Sequence, residues 1–351
     1  MNDFVAVIMA GGRGQRFWPL STEARPKQFL DLGQDGRTLI QATFDRVLPL
    51  AGDPSRILVA TGERYVPLVC EQLPELPAGN LIVEPVGRDS GPAVALASLE
   101  VQRRFGDVIA GFFSADHRIV DANGFQRSLA SAIELAAGRA GLVTVGITPT
   151  QPSTGYGYIE QGAAVGAGFE VSRFVEKPNL ERATHYLESG NYLWNAGMFV
   201  WPVDVILEEL DAHAPELMAP LRAAFERNTV ARDFPELPKI SIDYAVMEHT
   251  RRAYVVRGEF DWDDIGDWVA LERLLERGED GSNTVVGQHV GHEAYGNIVY
   301  TESSDDVIVT LGVEDLVIVK RGNTVLLVRK DRVQELKKLL EDERLAELVL
   351  E

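Results

Sequence analysis

The sequence has little cysteine and a deficit of positive charge. Cys70 is the only cysteine among the 351 residues, which excludes an internal disulfide and a cysteine-based zinc site. The chain has 34 Lys and Arg against 53 Asp and Glu, so its formal net charge is −19. Because this charge repels polyanions at long range, we expect no unspecific binding to nucleic acid or to an anionic membrane.

Long apolar runs are also missing. No segment approaches the roughly 20 consecutive apolar residues that a membrane-spanning helix needs, and the N-terminus begins with a short strand pattern instead of a basic and apolar signal. We therefore expect a cytoplasmic protein with no membrane partner. Since 45% of the residues are hydrophobic, the chain has ample material for a packed core.

What the sequence does contain is a glycine-rich turn after a candidate buried strand. The apolar run Val5 to Met9 predicts a strand that is buried on both faces of a sheet. The turn that follows, AGGRG, lacks the Cβ atoms that would keep a phosphate away from backbone N–H groups. Four positive charges lie within fifteen residues: Arg13, Arg16, Arg25 and Lys27. The turn therefore predicts a site for a specific anionic ligand, and the alternative is a plain turn with solvated arginines.

Two common phosphate-binding motifs do not fit this turn. The dinucleotide motif GxGxxG requires a small residue where Phe17 stands. The P-loop requires Gly-Lys-Ser/Thr where the chain has Gln15-Arg16-Phe17. A nicotinamide-dependent oxidoreductase is therefore disfavoured.

Strand and helix patterns alternate through the first part of the chain. Apolar residues at helical spacing predict helices over 38–50, 91–104 and 124–137, with Ser90 as the cap of the second helix. Short apolar runs predict strands over 56–60, 81–83, 108–113 and 142–147. This alternation predicts an α/β fold, a Rossmann-like doubly wound sheet of mixed strand direction.

The pattern changes near the C-terminus. Short β-rich runs at 284–328 predict a small β-helix-like domain, and a charged amphipathic helix is expected over 331–350. We therefore predict a catalytic domain at 1–282 and a small β-rich domain at 283–351.

Polar residues stand at several predicted strand ends. Asp116 follows the strand 108–113, where it could bind Mg²⁺ or only cap the next helix. Glu176 and Lys177 could bind sugar hydroxyls and a phosphate, although an exposed Glu-Lys pair is more often only solvated. Asn195 lies inside an apolar strand pattern, where an unpartnered carboxamide costs about 1–3 kcal/mol.

The run GGRGQRFWPLS, followed by RPKQF, resembles the signature of the sugar-nucleotide pyrophosphorylases. With Trp18 and Lys27-Gln28-Phe29 it resembles the mannose-1-phosphate guanylyltransferases, and EPVGRDSG, FVEKP, SIDYAVME and DWDDIGDW match in order. The resemblance implies transfer of GMP from GTP to mannose 1-phosphate, which gives GDP-mannose and pyrophosphate, with Mg²⁺ as the cofactor. By analogy, it also suggests a homodimer formed through the β-rich tail.

The resemblance also implies roles for individual residues. The implied nucleotide-binding residues are Ala10, Gly11, Gly12, Gly14, Glu84, Arg88 and Ser114. The implied sugar-phosphate-binding residues are Gly155, Tyr156, Glu176, Lys177 and Asn195. The implied catalytic residues are Arg13, Lys27, Asp116 and Lys177, and the implied metal ligands are Asp116 and Asp264.

Two alternatives stay open at this point. One is a related nucleotidyltransferase that uses another base or another sugar, such as glucose 1-phosphate, because a few hydrogen bonds decide such specificity. The other is a regulatory subunit that binds a sugar nucleotide without turning it over.

Overall fold

The computed structural model describes residues 4–12, 15–33, 35–273, 275, 282–342 and 345. The chain divides into two compact units. The first unit comprises the residues up to Gly11 together with Ile40–Trp262. The second comprises Gly12–Leu39 and the residues from Asp263 onward. The predicted domain boundary at residue 282 stays a prediction.

A nine-stranded mixed sheet forms the centre of the first unit. Its strands are β1 (Phe4–Met9), β2 (Ile57–Gly62), β3 (Leu81–Glu84), β4 (Ile109–Ser114), β5 (Leu142–Ile147), β6 (Tyr158–Val165), β7 (Gly168–Val175), β8 (Tyr192–Pro202) and β9 (Ala253–Arg257). Their order across the sheet is β3-β2-β1-β4-β8-β5-β9-β7-β6. The first four strands of that order run parallel, whereas β8 pairs antiparallel with both β4 and β5. The predicted mixed, doubly wound sheet is confirmed.

Helices follow the strands as their apolar spacing predicts. They are α1 (Leu39–Ala51), α2 (Val66–Gln72), α3 (Ser90–Phe105), α4 (Ala122–Arg139), α5 (Leu180–Ser189), α6 (Val203–His213), α7 (Pro215–Glu226) and α8 (Val230–Asp233). The five-residue π-helical segment Asp243–Met247 precedes β9. In the described part of the chain, no helix has the length and apolar character needed to cross a membrane.

The start of α3 corrects one prediction. Asp89 caps this helix: it has a positive φ of 71°, and its side chain accepts a hydrogen bond from the N–H of Ser90. Ser90 is the first helical residue, and its Oγ accepts a hydrogen bond of 2.9 Å from the N–H of Ile242. The predicted Ser90 cap is therefore wrong, because this serine ties the helix start to a distant segment.

The strand interiors explain the apolar runs in the sequence. Val5, Val7 and Ile8 of β1 are completely buried, as are Val143 and Val145 of β5. Strands in the middle of a sheet that is covered on both faces need apolar side chains on both faces. The polar residues that follow such strands therefore lie at the sheet edge, where ligands bind in open α/β sheets.

The second unit contains a short helix, α9 (Trp268–Glu272), and a coil of short strands. The strands are β10 (Thr284–Val286), β11 (Gln288–His292), β12 (Ile298–Thr301), β13 (Val307–Leu311), β14 (Leu316–Arg321) and β15 (Thr324–Arg329). Strands β10, β12 and β14 pair parallel in succession, and β11 pairs parallel with β13. Parallel stacking of successive coils is the pattern of a β-helix, as predicted.

Within the described residues, the predicted C-terminal helix over 331–350 is not continuous. A 3₁₀ segment at Lys330–Glu335 leads into α10 (Leu336–Leu339), which has four residues. Most of the predicted helix beyond Asp342 lies outside the described residues.

Candidate active site

The glycine turn leaves β1 at the carboxyl edge of the first unit's sheet. The N–H of Ala10 donates to the carbonyl of Ala60 at 2.7 Å, and the Ala10 carbonyl accepts from Thr61 Oγ1. A Cβ on Gly11 would lie 3.3 Å from Oε1 of Glu84, so a glycine is the residue that fits closely here. Gly12 begins the second unit, and its carbonyl accepts a hydrogen bond from Gln28. The predicted residues Arg13 and Gly14 lie outside the described part of the chain.

Glu84 ends the edge strand β3, Arg88 follows it, and both have unusual environments. Glu84 is 5% exposed, and burial raises the pKa of its carboxyl group to about 7. The Nε atom of Arg88 is buried and has no hydrogen-bond partner among the described residues. A buried N–H without a partner costs about 1–3 kcal/mol, so this guanidinium has unused capacity for an anionic or carbonyl ligand.

Ser114 is the last residue of β4, and Asp116 lies in the loop that follows. Ser114 ends the strand beside Met9, and the next N–H, that of Ala115, donates to the carbonyl of Met9 at 3.0 Å. The Asp116 side chain is 33% exposed, and its Oδ1 lies 3.9 Å from Nε2 of His117. This loop therefore presents a carboxylate at the sheet edge.

Two side chains hold the loop that carries Asp116, the buried Arg46 and the exposed Asp261. The guanidinium of Arg46 donates to the carbonyls of Ile119 and His117 at 3.2 and 3.4 Å. The carboxylate of Asp261 accepts from the N–H groups of Val120 and Asp121. The Asp261 side chain therefore fixes this loop through the loop's backbone N–H groups.

In the second unit, Lys27 is buried and fixes the segment that carries Asp264. Its Nζ donates to the carbonyls of Asp264 and Ile265 at 2.6 and 3.0 Å. Ile265 is completely buried and has a positive φ of 43°, which is a strained conformation for a β-branched residue. The Asp264 carboxylate lies beside Gly266, where a Cβ would come within 3.4 Å of it. Lys27 therefore stabilises the strained loop that carries Asp264. The side chain of Asp264 is a candidate metal ligand.

The predicted sugar-side residues come together in the first unit. Gly157 lies between Glu176 and Asn195, and a Cβ on it would be 2.6 Å from Oε2 of Glu176. The carbonyl of Gly157 accepts from the N–H of Asn195 at 2.8 Å. Oε1 of Glu176 is 2.5 Å from Nζ of Lys177, whose side chain is 61% exposed. The Gly155 N–H donates to Ser153 Oγ at 3.2 Å.

Tyr156 belongs to a chain of aromatic rings beside these residues. Its ring contacts those of Trp194 and Trp262 edge-on, with both centroids at 5.1 Å. Trp262 also contacts His117 edge-on at 5.5 Å, and its Nε1 donates to Nδ1 of that histidine at 3.3 Å. The tyrosine of the sugar-side loop is thereby connected to the loop of Asp116.

Two family profiles match this chain. The family described as Nucleotidyl transferase matches residues 5–280, which is more than half of the chain. The chain belongs to the nucleotidyl transferase family. The family described as MannoseP isomerase/GMP-like beta-helix domain matches residues 287–342.

Named relatives of this nucleotidyl transferase confirm the resemblance inferred from its motifs. A mannose-1-phosphate guanylyltransferase of Salmonella muenchen is 40% identical over 356 residues, which are 97% of this chain and 73% of that protein. One from Klebsiella pneumoniae is 40% identical over 350 residues, which are 95% and 73%. A crystal structure named mannose-1-phosphate geranyltransferase, from Thermus thermophilus, has 37% identity and a TM-score of 0.87 over 97% of this chain and 99% of that one.

The sequence reasoning missed several residues of this nucleotidyl transferase. Thr144 and Asp243 both contact the side chain of Asn195, and Glu248 accepts a hydrogen bond from the N–H of Glu176. The sequence gives no signal for a role of Trp262, which lies among the aspartates of DWDDIGDW. The only signal for Asp243 was a carboxylate in the matching segment SIDYAVME, to which no role was given.

Proposed function

We propose that this nucleotidyl transferase transfers GMP from GTP to mannose 1-phosphate and releases pyrophosphate. The named guanylyltransferases, which are 40% identical, support the two substrates. The observation that carries the proposal is the grouping of Glu176, Lys177 and Asn195 around Gly157. A carboxylate and a carboxamide bind hydroxyl groups, and an ammonium binds a phosphate, so one cluster has the chemistry for a sugar phosphate.

The proposed reaction is an in-line displacement at phosphorus. A phosphate oxygen of mannose 1-phosphate forms a bond to the α-phosphorus of GTP. The bond from that phosphorus to the oxygen that bridges to the β-phosphate breaks, and pyrophosphate leaves with the electron pair. Such transfers depend mainly on positioning and charge neutralisation, so no covalent intermediate with a side chain is required.

The cationic side chains are proposed to bind phosphates. Lys177 is exposed enough to exchange Glu176 for the phosphate of the sugar. Arg13 and Lys27 are proposed to neutralise the phosphates of GTP. The ammonium group of Lys27 also donates to the carbonyls of Asp264 and Ile265.

The proposed nucleotide contacts lie in the glycine turn and at or after the ends of β3 and β4 in the sequence. They are Ala10, Gly11, Gly12, Gly14, Glu84, Arg88 and Ser114. The close approach of Gly11 to Glu84 and the unpartnered Nε of Arg88 support this assignment. On the sugar side, Gly155 and Tyr156 are proposed to join Glu176, Lys177 and Asn195.

Asp116 and Asp264 are the proposed ligands of Mg²⁺. Both offer hard carboxylate oxygens, and one or two carboxylates suffice for Mg²⁺ when substrate phosphates and water complete its coordination. The described residues contain no group of three or more His, Cys, Asp or Glu side chains arranged for a metal. When bound, the ion would neutralise charge on the phosphate oxygens.

We also propose a cytoplasmic homodimer. The single cysteine, Cys70, is free, which suits a reducing compartment. In the second unit, Val290, Val307, Val309 and Leu311 of β11 and β13 are between 52% and 71% exposed. Grouped apolar side chains of this kind favour contact with another protein surface, here a second copy. Sedimentation equilibrium should give twice the monomer mass.

An assay of pyrophosphate release tests the function. The purified chain would be supplied with each of four nucleoside triphosphates and either mannose 1-phosphate or glucose 1-phosphate, with and without a chelator. We expect release with GTP and mannose 1-phosphate, and its loss when the chelator removes divalent ions. Preference for another pair would change the substrate assignment. Binding of GDP-mannose without any pyrophosphate exchange would instead support a regulatory subunit.

A further inference from the structure

Asp243 lies against the sugar-side cluster and has no role in the proposed reaction. It begins the π-helical segment Asp243–Met247, a type of distortion that is frequent at functional sites. Its Oδ1 accepts a hydrogen bond of 3.0 Å from Nδ2 of Asn195. Burial raises the pKa of this carboxyl group to about 7, and the negative charge of Glu176 adds to the effect.

The contacts of Asn195 fix the orientation of its carboxamide. The Oδ1 atom accepts from the N–H of Gly197 at 3.1 Å and from Thr144 Oγ1 at 3.0 Å. A backbone N–H can only donate, so the carboxamide atom that faces the N–H of Gly197 must be the oxygen, whatever the protonation state of Asp243. The carboxamide oxygen must therefore face Gly197, and its nitrogen must face Asp243.

These contacts leave one donor group on Asn195. A carboxamide has two N–H groups and two acceptor positions on its oxygen. Gly197 and Thr144 occupy the oxygen, and Asp243 takes one N–H. The remaining N–H has a fixed direction, because Asp243 accepts a hydrogen bond from the other N–H of the same carboxamide nitrogen.

We propose that Asp243 is a positioning residue for sugar recognition, which holds the Asn195 carboxamide so that its second N–H is presented to a hydroxyl group of the sugar phosphate. The inference rests on the proposed function, since it assumes that Asn195 contacts the sugar. Asp243 acts here through Asn195 and is not itself a catalytic residue. Its effect should therefore appear in the affinity for the sugar phosphate and not in that for GTP.

Steady-state kinetics of Asp243→Ala and Asp243→Asn test this role. We expect Asp243→Ala to raise the KM for mannose 1-phosphate about tenfold, the loss expected for one well-placed hydrogen bond, with the KM for GTP changed less than about twofold. Asp243→Asn keeps an oxygen that can accept from Asn195, so its KM should stay within about threefold of the wild-type value. Asp211→Ala, at an exposed aspartate that pairs with Arg222, is the control and should change neither KM.

A double-mutant cycle separates positioning from general destabilisation. If Asp243 acts through Asn195, adding Asp243→Ala to Asn195→Ala should raise the KM for mannose 1-phosphate no further. A further increase in that background, or an equal increase in both KM values, would overturn the inference. If Asp243→Ala does not fold, Asp243→Ser replaces it, because its shorter side chain should not reach Asn195; a wild-type KM in that variant would also overturn the inference.

The same experiments keep this inference distinct from the proposed function. If the wild-type chain does not release pyrophosphate from GTP and mannose 1-phosphate, the proposed function fails and this inference fails with it. If the wild type is active and Asp243→Ala has an unchanged KM for mannose 1-phosphate, only the role of Asp243 is refuted.

Discussion

Glu84 on the nucleotide side and Asp243 on the sugar side are both buried carboxyl groups of the first unit. Burial is the largest cause of the raised pKa in each, and each pKa reaches about 7. Their surroundings differ. Burial alone accounts for the shift of Glu84, which lies against the turn at Gly11. The pKa of Asp243 also depends on the charges of Glu176 and Lys177 and on the hydrogen bond that Asp243 accepts from Asn195.

Glu84 is therefore an isolated titratable group, whereas Asp243 belongs to a network of charges and hydrogen bonds. A carboxyl group that is shifted by burial alone responds to whatever changes its access to water, such as a bound nucleotide. In a network of charges and hydrogen bonds, the same shift depends on several partners, so no single change acts on one residue alone. We therefore expect the nucleotide side to tolerate local change better than the sugar side does.

The largest expected effect is on the pH dependence of stability at Glu84. Between its ordinary pKa of 4.5 and about 7, folded Glu84 keeps a proton that the unfolded chain has lost. The free energy of unfolding therefore falls as pH rises through this range, by up to about 3 kcal/mol, and the loss is complete above pH 7. Glu84→Gln removes the ionisable group, so it should stabilise the protein at pH 8 and have little effect at pH 4.5. Urea unfolding at the two pH values measures the difference.

Three further variants complete this test of the comparison. Asp243→Asn should also gain stability at pH 8, because the pKa of this carboxyl group is raised from 3.8 to about 7. Its gain should be smaller in a Glu176→Gln background, because the charge of Glu176 contributes to the raised pKa, whereas the gain from Glu84→Gln should stay the same there. Glu75→Gln, at an exposed glutamate, is the control. An unchanged gain from Asp243→Asn in the Glu176→Gln background would remove the distinction between the isolated group and the network.

The next effect compares two glycines that lie against these groups. A Cβ on Gly157 would be 2.6 Å from Oε2 of Glu176 and 3.3 Å from Cβ of Asn195, so at least one of these side chains must move. We expect Gly157→Ala to lower kcat/KM for mannose 1-phosphate about 100-fold, since shifts of about 1 Å can have effects of that size. A Cβ on Gly11 would be 3.3 Å from Oε1 of Glu84, and Gly11→Ala should lower activity only a few-fold.

The control for both glycines is Gly138→Ala, in α4, where a Cβ would meet nothing within 4 Å. Kinetics with mannose 1-phosphate and with GTP varied separately measure all three variants. A larger loss from Gly11→Ala than from Gly157→Ala would show that the nucleotide side, and not the sugar side, is the less tolerant region.

The sequence predicts the fold well where one segment carries its own signal. Leu142–Ile147 forms a strand with the predicted bounds, and the apolar run that ends at Met9 forms another, because burial on both faces demands continuous apolar residues. The β-helix-like coil was predicted from the spacing of its short runs.

Contacts between distant segments were not predictable from the sequence. Lys27 bonds to carbonyls that lie 237 and 238 positions away, so no local pattern indicates that it fixes the loop of Asp264. Asp89 replaced Ser90 as a helix cap because it adopts a positive φ, which no residue pattern disclosed. The role of Asp243 depends on a π-helical turn and on a partner 48 residues away. The sequence thus identifies most candidate side chains, but not the residues that hold them.

The smallest expected effect concerns Trp262, which contacts both Tyr156 on the sugar side and His117 beside Asp116. Trp262→Phe keeps a ring against Tyr156 but loses the hydrogen bond to His117 Nδ1, a loss of about 0.5–1.5 kcal/mol. We expect the Mg²⁺ concentration for half-maximal activity to rise about threefold, while the KM for mannose 1-phosphate stays the same. Trp262→Leu also loses the aromatic contact, so it should raise that KM as well. If Trp262→Phe raises the KM for mannose 1-phosphate as much as Trp262→Leu does, this separation is refuted. The indole N–H would then affect the sugar side as well as the loop of Asp116.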